Sequence, residues 1–162
     1  MKKFWSLGIL VPGALAGCAH MRPFNDQLCR EMAIFGNSVT DEKPKTVRLR
    51  TAWGSGLDGR NNVFFEKECE FGAYPPGDRL CKYIFENSST EFNSINLARS
   101  LECLRGGNIT RGSEITMEST QGTVAATNLP GAGTDVEVTV SFGTESKSRN
   151  PYLDISARKL RK

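Results

Sequence analysis

The sequence predicts an α+β domain: an antiparallel sheet with about three helices packed on one side, tied by two disulfides. Three observations lead there. Runs near both ends of the chain alternate apolar and polar residues, which is the period of a half-buried strand. Between them, stretches carry apolar residues at helical spacing, and four cysteines (Cys29, Cys69, Cys81 and Cys103) are spread over both kinds of run. Helices grouped together, rather than alternating one by one with strands, argue for helices collected on one face of an antiparallel sheet.

Taken in order, Asp26 to Phe35 opens the domain as a helix, with Leu28, Cys29, Met32 and Phe35 on one side. Asn25 or Asp26 is suited to cap it, and Gly36-Asn37 is expected to end it. Thr46 to Trp53 then alternates. Val47, Leu49, Thr51 and Trp53 stand against Arg48, Arg50 and Ala52, the pattern of a strand with one wet face. The loop "GSGLDGRNN" separates it from a second strand, Val63 to Phe71, with Val63, Phe65, Cys69 and Phe71 inward and Phe64, Glu66, Glu68 and Glu70 outward. Lys67 interrupts the inner row.

The turn "YPPGD" puts Pro76 near a helix start, and Leu80, Cys81, Ile84 and Phe85 supply the apolar stripe of the helix. Ser88 and Glu91 have the spacing of a capping box, in which two side chains satisfy free amide donors at a helix N-terminus. The helix it would open carries Leu97, Ala98, Leu101 and Leu104 and stops at Gly106-Gly107. Strands at 113–119, 122–127, 134–142 and 152–158 complete the domain as an antiparallel meander with one wet face. The single domain spans 25–158, and 159–162 is a short basic tail.

The four cysteines admit three pairings. Cys69–Cys81 is the expected local staple, because the turn at Tyr74 to Gly77 can fold a helix back on a strand, and Cys29–Cys103 is then the long tie. The sequence leaves the other two pairings open. Each bridge would contribute about 3 to 5 kcal/mol in the chain-entropy model. With the fifth cysteine, Cys18, set apart near the N-terminus, an even count of this kind is expected of an exported domain.

The first 17 residues stand apart. Lys2 and Lys3 precede an apolar stretch of 11 residues, Phe4 to Ala14, broken by Pro12 and Gly13. A transmembrane helix needs about 20 apolar residues, so the stretch reads as a secretory signal and is set aside from the fold. Its end, Leu15-Ala16-Gly17-Cys18, resembles the lipobox of bacterial lipoprotein signals at every position. The resemblance implies that the segment 1–17 is removed. Cys18 then carries a thioether-linked diacylglycerol and, in Gram-negative cells, an acylated amino group. Residues 18–24 become the lipidated N-terminus and a short tether. With roughly 0.8 kcal/mol per buried CH₂, two or three acyl chains anchor a protein stably where one does not. Ala19 replaces the aspartate that tends to retain enteric lipoproteins in the inner membrane, so the expected place is the outer membrane, facing the periplasm.

Once the signal is removed, 19 basic residues face 18 acidic ones, which argues against an electrostatic nucleic-acid binder. The balance is uneven. From Glu145 onward six basic residues (Lys147, Arg149, Arg158, Lys159, Arg161, Lys162) face two acidic ones. Such a tail could touch anionic headgroups or lipopolysaccharide, and a solvated, partly frayed terminus is the plainer expectation.

Catalytic constellations are scarce. No histidine follows His20, which removes Ser-His-Asp and Cys-His arrangements from the domain. Glu66, Glu68, Glu70, Glu86 and Glu91 could supply paired carboxylates, but three of them alternate along one strand as a solvated face does. The loop from Gly54 to Gly59 lacks the lysine of a phosphate-binding loop, and Asp58 alone cannot make a calcium loop. No CxxC occurs and His20 adjoins the anchor, so no metal site and no cofactor are expected.

The stretches "TVRLRTAWG", "KECEF", "YPPGDRLCKYIFENSSTEF" and "ARSLECL" resemble a set of short four-cysteine bacterial envelope proteins over roughly residues 29 to 104. In architecture the chain is also similar to the immunity lipoproteins that neutralise type VI secretion effectors, and to periplasmic lysozyme inhibitors. The likeness implies a non-enzymatic protein-binding module, an immunity protein or inhibitor that blocks a secreted toxin, held at the membrane by its lipid. The alternative is a structural envelope lipoprotein. Candidate contacts with a protein partner are Trp53, Asp58 and Arg60 on the loop around Gly54 to Asn62, and the acidic strand face beside them.

Overall fold

The computed structural model describes residues 26–58, 61–88, 94–112 and 121–161. The signal segment, Cys18, the tether, Arg60, Glu91 and the strand expected at 113–119 lie outside the described residues. The rest is the α+β domain read from the sequence. Three helices, α1 (Gln27–Ser38), α2 (Pro75–Glu86) and α3 (Ser94–Arg105), cover one face of a sheet. Its strands are β1 (Lys45–Ser55), β2 (Asn61–Glu70), β3 (Asn108–Gly112), β4 (Gly122–Thr127), β5 (Val136–Thr144) and β6 (Pro151–Lys159).

Every strand pair is antiparallel, in the order β2-β1-β6-β5-β4-β3. β3 to β6 form the meander, and the β1–β2 hairpin is zipped onto its far edge through β1 and β6. Alternation places Val47 and Leu49 of β1, Val138 and Val140 of β5, and Leu153 and Ile155 of β6 in one buried layer beneath the helices. Leu28, Met32 and Phe35 of α1, with Leu80 and Ile84 of α2, fill it from the other side. Both expected bridges are formed. Cys29–Cys103 joins α1 to α3, and Cys69–Cys81 joins β2 to α2.

One local reading is corrected. Helix α1 does not stop at Gly36-Asn37 but runs to Ser38. Gly36 is there for close approach: a Cβ on it would sit 3.2 Å from Val136 Cγ1 and 3.3 Å from Val138 Cγ2. Ser88 donates its hydroxyl to the Phe85 carbonyl at the end of α2, and the capping box expected with Glu91 falls outside the described residues, which resume at Ser94 in α3. Ala52 keeps its expected place in the outward row, opposite Glu66, and is covered there. Lys67 does interrupt the inner row of β2, and its place explains why. Its ammonium donates to the Phe85 carbonyl and to Ser88 Oγ, 4.4 Å from the Phe85 ring centroid, so β2 supplies the cation that α2 lacks in its own last turn.

The start of α1 is held by charge. Asp26 caps the helix, accepting from the Leu28 N–H at 2.8 Å, and also accepts from Arg99 Nε at 2.8 Å. One turn on, Glu31 is buried and accepts from Arg79 Nη2 at 2.8 Å. These guanidinium hydrogen bonds, from Arg99 and Arg79 respectively, hold both carboxyls below their ordinary values. A depressed folded pKa contributes stability that is fully present above the unfolded value and is lost as pH falls through the folded one. Stability should therefore be level from about pH 7 to 5 and decline below about pH 4, where free Asp and Glu titrate. Urea midpoints measured across that range check it. Arg79→Gln should be less stable than the parent at neutral pH and lose less on acidification; parallel curves would refute the assignment.

Candidate protein-binding surface

The face of the sheet opposite the helices carries outward rows from β1, β2 and β6. In β1 these are Thr46, Arg48 and Arg50; in β2, Glu66, Glu68 and Glu70; in β6, Tyr152, Asp154 and Ser156. The register sets Arg48 between Glu70 and Asp154, and Arg50 between Glu68 and Tyr152. A guanidinium in such a row meets carboxylates from both neighbouring strands, which is where cross-strand pairs act.

Arg48 is bidentate to Asp154, Nε to Oδ1 and Nη2 to Oδ2 at 2.7 Å each, and lies 5.1 Å from the Tyr152 ring centroid. Arg50 Nη2 donates to Glu68 Oε2 at 2.7 Å and also to Glu70. Glu145, from the turn between β5 and β6, reaches both arginines, at 3.9 Å from Arg48 and 3.6 Å from Arg50. The turn that presents it is closed by its own bonds, Arg149 N–H to the Glu145 carbonyl and Ser148 Oγ to Glu145 Oε2. The hydrogen bonds to Asp154 raise the Arg48 pKa despite partial burial. Burial opposes the charge on Arg50, but Glu70, Glu68 and Glu145 outweigh it and raise its pKa too. Two guanidinium groups thus share four carboxylates, a local surplus of two negative charges, with the side chains of Glu68 and Glu70 about half exposed at 48% and 47%.

The predicted contact residues fall on the adjoining hairpin. Trp53 pairs with Phe65 in the β1–β2 ladder, and its side chain is outside the described residues, as is the whole of Arg60. Asp58 is exposed in the turn after β1, beside Leu57, whose N–H donates to Glu66 Oε2 at 2.7 Å. The turn after β1 at Leu57 and Asp58 therefore adjoins Glu66 of the acidic row of β2. What the sequence reading missed is the partnership with β6. Alternation was enough to turn Arg48 and Arg50 outward, but nothing local announces that Asp154, 106 residues later, lies opposite.

As for chemistry, no group of three or more His, Cys, Asp or Glu able to hold a metal ion occurs among the described residues. Glu66, Glu68 and Glu70 are engaged by the Leu57 N–H and by Arg50. Ser156 and Lys159 have the Ser-x-x-Lys spacing, which corrects the expectation that the chain carries no such motif. On a strand a three-residue step puts them on opposite faces. Ser156 Oγ is 2.8 Å from Thr46 Oγ1, and Lys159 Nζ donates to Asp135 at 2.9 Å. The basic tail is likewise drawn into the fold. β6 runs through Lys159, the Leu160 N–H donates to the Asp135 carbonyl at 2.8 Å, Arg158 pairs with Glu137, and Arg161 pairs with Glu42.

No family model, no curated protein and no solved structure matches this chain.

Proposed function

We propose that the chain is a lipoprotein anchored through Cys18 on the periplasmic face of the outer membrane, and that its domain is a non-enzymatic protein-binding module of the immunity or inhibitor type. The anchor rests on the lipobox resemblance of Leu15-Ala16-Gly17-Cys18. The binding reading is supported by the open sheet face, where a surplus of carboxylates is set in a fixed lattice around Arg48 and Arg50. Charges arranged this way select a complementary partner and speed its arrival more than they add affinity. The partner chemistry that fits is a protein surface rich in Lys and Arg, such as the cationic cleft of an incoming toxin.

One experiment tests both parts. The full chain carrying Cys18→Ser is exported with its bridges closed; it should appear in the soluble periplasm, where the parent fractionates with membranes. Retention of the variant on the membrane would defeat the anchor. The soluble protein is then used as bait against periplasmic extract and type VI secretome, beside a Glu68→Gln/Glu70→Gln version. A single saturable partner, lost or weakened at least about tenfold in the double variant, is expected, because such exposed pairs contribute only about 0 to 1 kcal/mol to folding and their loss should act on binding. Equal capture by both baits would remove the open face from the reading. An empty capture would favour a structural envelope role.

A further inference from the structure

The helical side of the molecule carries a different kind of surface. A hollow of ≈ 360 Å³ opens between α1, the C-terminal end of α3 and the β4–β5 loop, lined by the Cys29–Cys103 bridge, Ala33, Ile34, Leu129 and Pro130. Its volume is in the range of small-ligand sites, which run to roughly 300–1,000 Å³ and are mainly apolar with few polar groups. Ile34 is 43% exposed, one of only two large apolar side chains so exposed among the described residues.

The walls are fixed independently of any ligand. The disulfide joins the two helices at the hollow. The loop is clamped to α1 by Asn37, whose Nδ2 donates to the Gly131 carbonyl and whose Oδ1 accepts from the Gly133 N–H, both at 2.6 Å. Within the loop the Ala132 N–H donates to the Leu129 carbonyl at 2.8 Å.

Among the described residues one charge borders this apolar space. Arg30 is exposed, and its guanidinium donates through Nε and Nη2 to the neutral amide oxygen of Gln27; among the described residues it has no carboxylate in ion-pair range and acts on Asp26 and Glu31 only from farther off. The acidic residues of the same helix end are each bound elsewhere, Asp26 to Arg99 and Glu31 to Arg79. Three guanidinium groups therefore accompany two carboxylates, and Arg30 is the one in excess. A carboxylate would replace a neutral acceptor with a charge-assisted one, which is roughly twice as strong.

We propose that the hollow is a binding site for a single-chain anionic amphiphile, a fatty-acid carboxylate whose alkyl chain lies against Ile34, Ala33, Leu129 and the disulfide while its head group pairs with Arg30. The site is on the helical face and does not depend on the role given to the open sheet face.

Titration calorimetry on the secreted Cys18→Ser protein, which lacks any acyl chain of its own at residue 18, tests it with dodecanoate below its micellar concentration and with dodecanol as the uncharged probe. Saturable 1:1 binding of dodecanoate is expected, with a rise in Tm by mass action. Ile34→Asp puts a carboxylate at the mouth and should weaken dodecanoate at least about tenfold, a change of about 1.4 kcal/mol. Arg30→Gln should weaken dodecanoate to a similar degree and leave dodecanol unaffected. Both positions are exposed, so unchanged circular dichroism separates lost binding from lost folding. Absence of saturable binding, or binding that survives Ile34→Asp, overturns the site. Equal affinity for dodecanoate in the parent and Arg30→Gln overturns the head-group assignment.

Discussion

Cys29→Ala combined with Cys103→Ala is expected to lower the free energy of unfolding by about 4 kcal/mol, against about 3 kcal/mol for the Cys69→Ala/Cys81→Ala pair, because the denatured chain gains more freedom when the larger loop is released. The sequence separations are 74 and 12 residues. The longer bridge also has a structural task that its loop length does not convey. Among the described residues α1 meets α3 through this bond and through the Asp26–Arg99 pair, and both are on the helical layer that covers β4, β5 and β6. Urea unfolding with and without reductant, on the parent and both double variants, measures the two contributions. A typical domain has only about 5 to 15 kcal/mol in total, so the Cys29/Cys103 variant should be visibly less stable at 37 °C. Identical midpoints for the parent and that variant would show that packing alone holds the helices.

Phe35→Ala should have an effect of comparable size, about 3 to 5 kcal/mol, by lost transfer energy plus the cavity left behind. Phe35 is 1% exposed and stands at the joint of α1, α2 and the sheet. Its ring meets the Tyr74 ring edge-on at a centroid distance of 6.2 Å, and Tyr74 in turn donates its hydroxyl to the Ser38 carbonyl at 2.6 Å, tying the start of α2 to the end of α1. The α2 backbone comes close enough at Gly77 that a Cβ there would lie 3.7 Å from Phe35 and 3.2 Å from Val47. So tight a joint cannot collapse to fill the space. Denaturant midpoints at fixed slope provide the measurement, and a loss under about 1 kcal/mol would mean that the neighbours relax.

Some of the molecule was legible residue by residue. Val47 and Leu49 against Arg48 and Arg50, or Val138 and Val140 against Thr139 and Ser141, state which side of a strand is dry, because successive side chains alternate and only one row can leave water. Leu28, Met32 and Phe35 do the same for α1 at the helical period. The Cys69–Cys81 bridge was the expected staple because the turn between them can fold a helix back on a strand, with the other two pairings left open until the fold was seen. Gly36 misled because its terminus signal is statistical and local, and it was overruled by the close approach of Val136 and Val138.

The candidate surfaces were less legible than the core. The β1–β2 hairpin was expected at a partner contact, yet its acidic row is organised by Arg50 together with Glu145 from the other end of the chain. The hollow on the helical side had no sequence signature, since a disulfide, an alanine, an isoleucine and a Leu-Pro loop read singly as ordinary core and turn. The sequence by itself determined the class of the domain, the dry and wet rows of β1 and the apolar face of α1, because those follow from short periods, while the choice of Cys29–Cys103, 74 residues apart, among the possible pairings was left to the fold. Only the tertiary structure decided that β6 lies between β1 and β5, that Arg48 and Arg50 share carboxylates from three segments, and that α1, α3 and the β4–β5 loop enclose a space. Those are meetings of surfaces far apart along the chain, fixed by which buried faces fit together and carried by no residue alone.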